Sequence, residues 1–233
     1  VLIPSFPECS HSLVKSLHHY SDHELLTLFQ RHPDTGQYFT AIFCRYSPIV
    51  YTLVRHSARS PVQADYLFAT IWRHVHRELS GLDLRHYAQT QAEPGQLTLQ
   101  SWLINMTAYC INTADLPSVE SIHYSLQAAS PPLWCYVEQA LDQLAPVQRL
   151  MILMAQTFRW SETRIAAYLQ AEGEAISPAE VRTQLQVCYQ QLERILPDDI
   201  RAIYLQHSVA NHPSAYDDEL DVDPLEHRFE EIL

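Results

Sequence analysis

Residues 60–75 read SPVQADYLFATIWRHV. Ser60–Pro61 opens a helix, because proline at the first helical position gives up an N–H that has no partner there in any case. Ala64, Leu67, Phe68, Ile71, Trp72 and Val75 then recur at the spacing of one helix face, so this helix carries an apolar stripe that must find a core. No alternation of apolar and polar residues runs through it, which argues against a strand.

The stretches on either side repeat the pattern. Upstream, Ser21 and Glu24 form a Ser-x-x-Glu capping box before Leu25, Leu26, Leu28 and Phe29, and that helix should stop at 33–36, where Pro33 and Gly36 lie. Phe39, Ile42, Phe43 and Tyr46 predict a second helix over 37–46. Pro48 should open a third, with Val50, Tyr51, Leu53 and Val54 on its apolar side. Downstream, QTQAEPGQ (89–96) reads as a loop, and 97–112 returns to helix through Leu99, Trp102, Leu103, Met106 and Ile111. Residues 113–132, with Pro117 and Pro131, read as a linker.

A second helical set follows. Val137, Leu141 and Leu144 mark one helix, and Pro146 begins another through 150–158. Ser161 precedes Ile165, Ala166 and Leu169. Ser177–Pro178 caps a longer helix holding Val181, Leu185, Cys188, Leu192, Ile195 and Leu196, which Pro197 ends. The expected fold is therefore all-α, with two helical bundles over 21–112 and 133–196. A short extension (1–20) precedes them and an acidic tail (197–233) follows.

Composition narrows the function. Of 233 residues 47% are apolar, enough for two helical cores. No run approaches the ~18–20 apolar residues of a membrane span. Residues 1–10 lack the layout of a secretory signal, so a cytoplasmic location is expected. Five scattered cysteines, with no Cys-x-x-Cys, read as reduced and mostly buried thiols. Cys9, His11, His18, His19 and His23 lie near one another without regular ligand spacing, so neither a metal nor a cofactor is expected. Only four glycines occur, and no G-x-G-x-x-G, P-loop, G-x-S-x-G or H-E-x-x-H is present, which argues against an enzyme. The net charge of −12 is uneven: from 197 to 233 there are ten acids and two bases, whereas 41–86 holds six arginines against three acids.

Several stretches together resemble the sigma-70 family of transcription initiation factors, in its small extracytoplasmic-function branch. SDHELLTLFQ (21–30) with YFTAIFCRYSPIVYTLVR (38–55) is similar to that branch's opening helices. DYLFATIW (65–72) is similar to its clamp-gripping helix, and SWLINMTAYCIN (101–112) to its helix beside the −10 element. ALDQLAPVQRLMILM (140–154) and SETRIAAYL (161–169) resemble the helices before the recognition helix, and VRTQLQVCYQQLERIL (181–196) resembles the recognition helix itself.

The resemblance implies a protein that binds core RNA polymerase and promoter DNA, the DNA only weakly on its own, and that can meet an anti-sigma-type regulator. It involves no membrane. Gln63, Asp65, Phe68 and Trp72 would then meet polymerase. Arg45, Arg55, Arg73 and Arg77 would neutralise phosphates, and Trp102 and Tyr109 would stack on bases of a melted strand. Arg164, Arg182, Thr183 and Gln184 would face duplex DNA in a helix-turn-helix. The chain departs from the family at Val62 and Asp65 on the clamp helix, at Asn105, Ala108 and Tyr109 where bases and an Asn are usual, at Arg164 where a glutamate is usual, and in a longer turn from Leu169 to Val181. Those departures keep a second expectation open: a sigma mimic or protein-interaction module that has lost DNA binding. In the tail, Asp217, Asp218, Glu219, Asp221 and Asp223 precede Pro224, with Leu225, Phe229, Ile232 and Leu233 on one side of a helix if one forms. The expected role of those acids is to imitate DNA phosphate.

Overall fold

Capping chemistry decides where the helices begin. In the computed structural model, which describes residues 3–84 and 98–205, every regular element among those residues is helical. After α1 (Ser12–Lys15), the Ser21–Glu24 box opens α2 (Asp22–Arg31), and the Glu24 carboxylate accepts from Ser21 N at 2.7 Å. Ser60 caps α4 (Pro61–Leu79) by accepting from Gln63 N at 3.1 Å. Thr98 and Ser101 form a reciprocal box for α5 (Leu99–Thr113). Each side chain satisfies an N–H that the first helical turn leaves orphaned.

Between α2 and α4 the structure corrects the sequence. The two helices expected over 37–46 and from Pro48 onward are one, α3 (Gly36–Ser57), with Pro48 inside it. Proline removes one N–H from the ladder there. The stripe through Phe39, Ile42, Phe43, Tyr46, Val50, Tyr51 and Val54 is buried on both sides of it. At about 1.5–3 kcal/mol for each large apolar side chain, that burial outweighs one missing bond.

The described residues fall into two compact units, one drawn from the chain up to Cys135 together with 198–205, the other from 136–197. In the first unit α3 packs on α2, α4 and α5. Phe43 meets Trp72 edge-on at 5.0 Å and Tyr51 meets Phe68 at 5.2 Å. His76 lies among these rings, 4.6 Å from Phe39, and burial pushes it down to about 4, so it is neutral at pH 7.

Three sequence boundaries also move. Residues before Ser21 join the first unit through the 3-10 turn Pro7–Ser10 and α1, burying Val14 and Leu17. The segment read as a linker packs there as well: Gln63 Nε2 donates to the Pro117 carbonyl at 3.1 Å, and Leu126 and Ala129 are buried. The acidic tail does not begin at Pro197. The chain returns to the first unit as α10 (Asp198–Ile200) and a π-helical turn (Arg201–Leu205), with Ile200, Ile203 and Leu205 buried and Gln37 N donating to Asp199 at 2.6 Å. A further correction concerns the cysteines. Cys9 and Cys44 are joined in a disulfide, while Cys110, Cys135 and Cys188 remain thiols.

The second unit takes the part of α6 (Pro131–Asp142) from Tyr136 onward, with α7 (Pro146–Gln156), α8 (Glu162–Ala171) and α9 (Pro178–Ile195). Val181, Leu185, Cys188, Tyr189 and Leu192 form the inner face of α9, buried with Met151 and Ile152 of α7 and Ile165 and Leu169 of α8. Gly173 ends α8 at φ 99, a left-handed conformation that glycine adopts without a Cβ clash. Gln170 fixes the following loop by donating to the Ile176 carbonyl at 2.6 Å.

Candidate nucleic-acid interface

On α4 the residues opposite the core stripe are polar and basic. Thr70, Arg73, His74 and Arg77 recur at three- and four-residue steps and share one face. With Leu67 they meet Tyr109, Cys110 and Thr113 of α5, and Ala114 just after it, around an open pocket of about 230 Å³. Tyr109 is 60% exposed, so its ring is presented to solvent at the rim. The Arg73 guanidinium packs 5.0 Å from the centroid of Trp134, which itself meets Tyr124 at 5.1 Å. Cations beside an exposed aromatic ring suit a ligand with both phosphate and a flat face, because charge holds the backbone and stacking holds the base. Three of the residues expected at DNA (Arg73, Arg77 and Tyr109) are therefore brought together. Thr70, Cys110 and Thr113 complete the lining and are not singled out by sequence, since only the packing of α5 on α4 places them there.

Other expected residues are used inside the first unit. Arg45 donates to Asp22 at 2.6 Å and to the Tyr20 carbonyl at 2.8 Å, while Tyr46 also donates to Asp22. Its guanidinium joins the start of α2 to α3, away from the pocket. Arg55 lies near Asp65, whose carboxylate accepts from Tyr51 OH at 2.9 Å. Burial raises the Asp65 pKa, which that hydrogen bond and Arg55 partly counter. Gln63 holds Pro117, as described above.

Phe68 and Trp72 are 0% exposed, and Trp102 is 3% exposed. The polymerase contact expected of Phe68 and Trp72, and the base stacking expected of Trp102, are corrected accordingly. Their rings fill the core and offer no face to a ligand.

In the second unit the outer face of α9 carries Arg182, Thr183 and Gln184, all exposed. Arg182 Nε donates to Glu162 at 3.2 Å, and Thr183 Oγ1 donates back to the Ala179 carbonyl at 3.1 Å. Hydrogen bonds from Ser177 hold the Glu180 carboxyl below its ordinary value, so a negative charge stands at the start of α9. Arg164 lies over the Trp160 ring at 4.1 Å. Trp160 is flanked by Phe158 at 5.9 Å and Tyr168 at 5.8 Å, and Phe158 is 59% exposed. Sequence reading passed over this aromatic group, although FRW (158–160) directly before the Ser161 cap was its visible signal.

Among the described residues no group of three or more His, Cys, Asp and Glu side chains could hold a metal ion. No helix among them is long and apolar enough to cross a membrane. Set against protein-family models, curated proteins and solved structures, the chain gives no match in any of the three.

Proposed function

We propose that the chain is a sigma-factor-like transcription initiation protein that works in the cytoplasm, docks on core RNA polymerase and holds one strand of opened promoter DNA. The observation that carries this reading is the α4–α5 pocket, where Arg73 and Arg77 stand beside the exposed ring of Tyr109. A base on Tyr109 would contribute about 1–3 kcal/mol by stacking, and the arginines would take the adjacent phosphates. Polymerase would meet the exposed start of α4 around Val62, with Gln63 and Asp65 at the margin. In the second unit, α8 and α9 would act as a helix-turn-helix with α9 toward the major groove. Duplex binding would be weak, because Arg182 is paired with Glu162 and so few arginines on this face would displace few counterions.

The pairing of Arg182 with Glu162 favours a second reading, a sigma mimic that binds protein and has given up duplex DNA. Electrophoretic mobility with a fork-junction promoter fragment separates the two, with and without core polymerase. The first reading expects a shifted complex only when polymerase is present, weakened about tenfold or more by Tyr109→Ala and further by Arg77→Ala. A protein that co-migrates with polymerase but never recruits the fragment would leave the mimic.

A further inference from the structure

The segment before Ser21 has little to hold it in place. It consists of one 3-10 turn and the four-residue α1, and helices that short have no stability of their own in water. Its grip on the first unit comes from a few side chains. Phe6 stands edge-on to Phe43 at 4.8 Å and stacks on Phe68 at 5.9 Å, covering the place where α3 and α4 meet. Val14 and Leu17 are buried. A covalent tie adds to these, the bond from Cys9 in the 3-10 turn to Cys44 on α3.

That bond is within reach of a reagent. Cys9 and Cys44 are both half-buried and line an open pocket of about 430 Å³ with Leu17, His18, Ala41 and Arg45. A disulfide is opened by a thiolate that approaches one of its sulfurs, so access governs its fate. The remaining thiols differ. Cys135 and Cys188 are buried, and burial pushes the Cys188 thiol up to about 11 and raises that of Cys110.

We propose that Cys9–Cys44 is a dithiol–disulfide exchange site whose opening releases the amino-terminal segment from the Phe43–Phe68 face. The co-reactant is a reductant carrying two thiols. Its first thiolate attacks one sulfur of the bridge, forming a mixed disulfide and expelling the other as a thiolate. Its second thiol displaces the remaining cysteine and closes the reductant's own disulfide. Two electrons pass to the protein, the two protons of the dithiol end on Cys9 and Cys44, and the S–S bond lost in the protein is gained in the reductant. With the bond open, the burial of Phe6, Val14 and Leu17 and the hydrogen bonds from Arg45 to the His18 and Tyr20 carbonyls are among the contacts left to oppose the entropy of release. This inference stands apart from the transcription reading, since it needs neither polymerase nor DNA.

Lys15 is the only lysine in the chain, so lysyl endopeptidase cuts once, inside this segment. The experiment uses the full chain, air-oxidised or treated with dithiothreitol, beside Cys9→Ser and Cys44→Ser. Thiol titration in denaturant should count three thiols before reduction and five after it. Cleavage after Lys15 should be about tenfold faster in the reduced protein and in both serine variants, because cutting follows the population of the open form. The helical circular dichroism of all samples should stay near that of the oxidised protein. Phe6→Ala with the bridge intact should cleave at an intermediate rate. Five thiols before reduction, or equal cleavage rates in the oxidised and reduced forms, would overturn the proposal. Loss of helix on reduction would overturn it too, since the bridge would then hold the whole unit.

Discussion

Glu8 is the residue whose setting departs most from its chemistry. A glutamate in a 3-10 turn at the start of a chain ordinarily faces water, yet this one is 5% exposed, close to Ser130 and Tyr204. Glu8 Oε1, Ser130 Oγ and Tyr204 OH make no hydrogen bond of normal geometry, so Ser130, Tyr204 and the Glu8 backbone offset only part of the lost hydration of a carboxylate. Burial therefore raises the Glu8 pKa, and burial with the nearby carboxyl raises that of Tyr204 well above its usual value. Above the unfolded pKa of Glu8 the unfolded chain gives up this proton more readily than the folded one does. The group's stabilising contribution is then present below that value and is lost as pH rises through the folded pKa. Glu8→Gln removes the titration while keeping the size and polarity of the side chain. The variant should be more stable than the parent at pH 8 and should lose that advantage as pH falls toward 4.5, followed by urea unfolding. A gap that stays constant over this range would show that Glu8 is not protonated on burial.

Pro48 shows at the scale of an element what competes with local propensity. Proline in a helix interior costs about 3 kcal/mol relative to alanine, and here it is exposed within α3. Pro48→Ala should return an N–H to the ladder, reaching the Cys44 carbonyl, and raise the stability of the oxidised protein by about 1–3 kcal/mol. A variant with unchanged stability would mean that the ring packs well enough to offset the missing bond. The same helix shows why its two halves read as separate elements. A proline is a local signal visible in any window, whereas the burial of Phe43 and Val50 in one core depends on the whole unit. Helix starts at Ser21, Ser60 and Ser177 were legible because a cap acts over three residues. The return of 198–205 was not, since Asp198 and Asp199 look like the head of an acidic tail and only tertiary packing turns Ile200, Ile203 and Leu205 inward. Pairing of Cys9 with Cys44, 35 residues apart, likewise has no local signature. At the candidate site the residue types were legible and their grouping was not. Arg73, Arg77 and Tyr109 meet because α5 packs on α4, whereas Trp102 went inward because an aromatic at helical spacing serves a core equally well.

Across the whole molecule, charge is the property that sits least easily with DNA. The chain carries −12, and residues 213–233, outside the described residues, contribute eight acids and one base to it. Such a cluster on the same chain as the pocket arginines can act in two ways. As a diffuse charge it repels DNA through the summed field. As a competitor it occupies basic groups that phosphate would otherwise take. Both predict that deleting 213–233 tightens binding of a fork-junction promoter fragment by the polymerase complex at low salt. Both also predict that the gain fades near physiological ionic strength, where the screening length is about 8 Å. Both also lower the slope of log K against log salt, and neutralising substitutions separate them. A competitor must be displaced before phosphate binds, so DNA then releases fewer ions from the protein and the full-length slope is shallower than the truncated one. A repelling field strengthens as salt falls and so also flattens the full-length slope at low salt, but it weakens with every acid removed, so Gln in place of Glu226, Glu230 and Glu231, three of the eight acids, should reduce it in proportion. Competition by the run Asp217, Asp218, Glu219, Asp221 and Asp223 should survive that replacement, keeping most of the difference from the truncated protein. Equal affinities of the full-length and truncated proteins at low salt would leave the acids with no part in DNA binding.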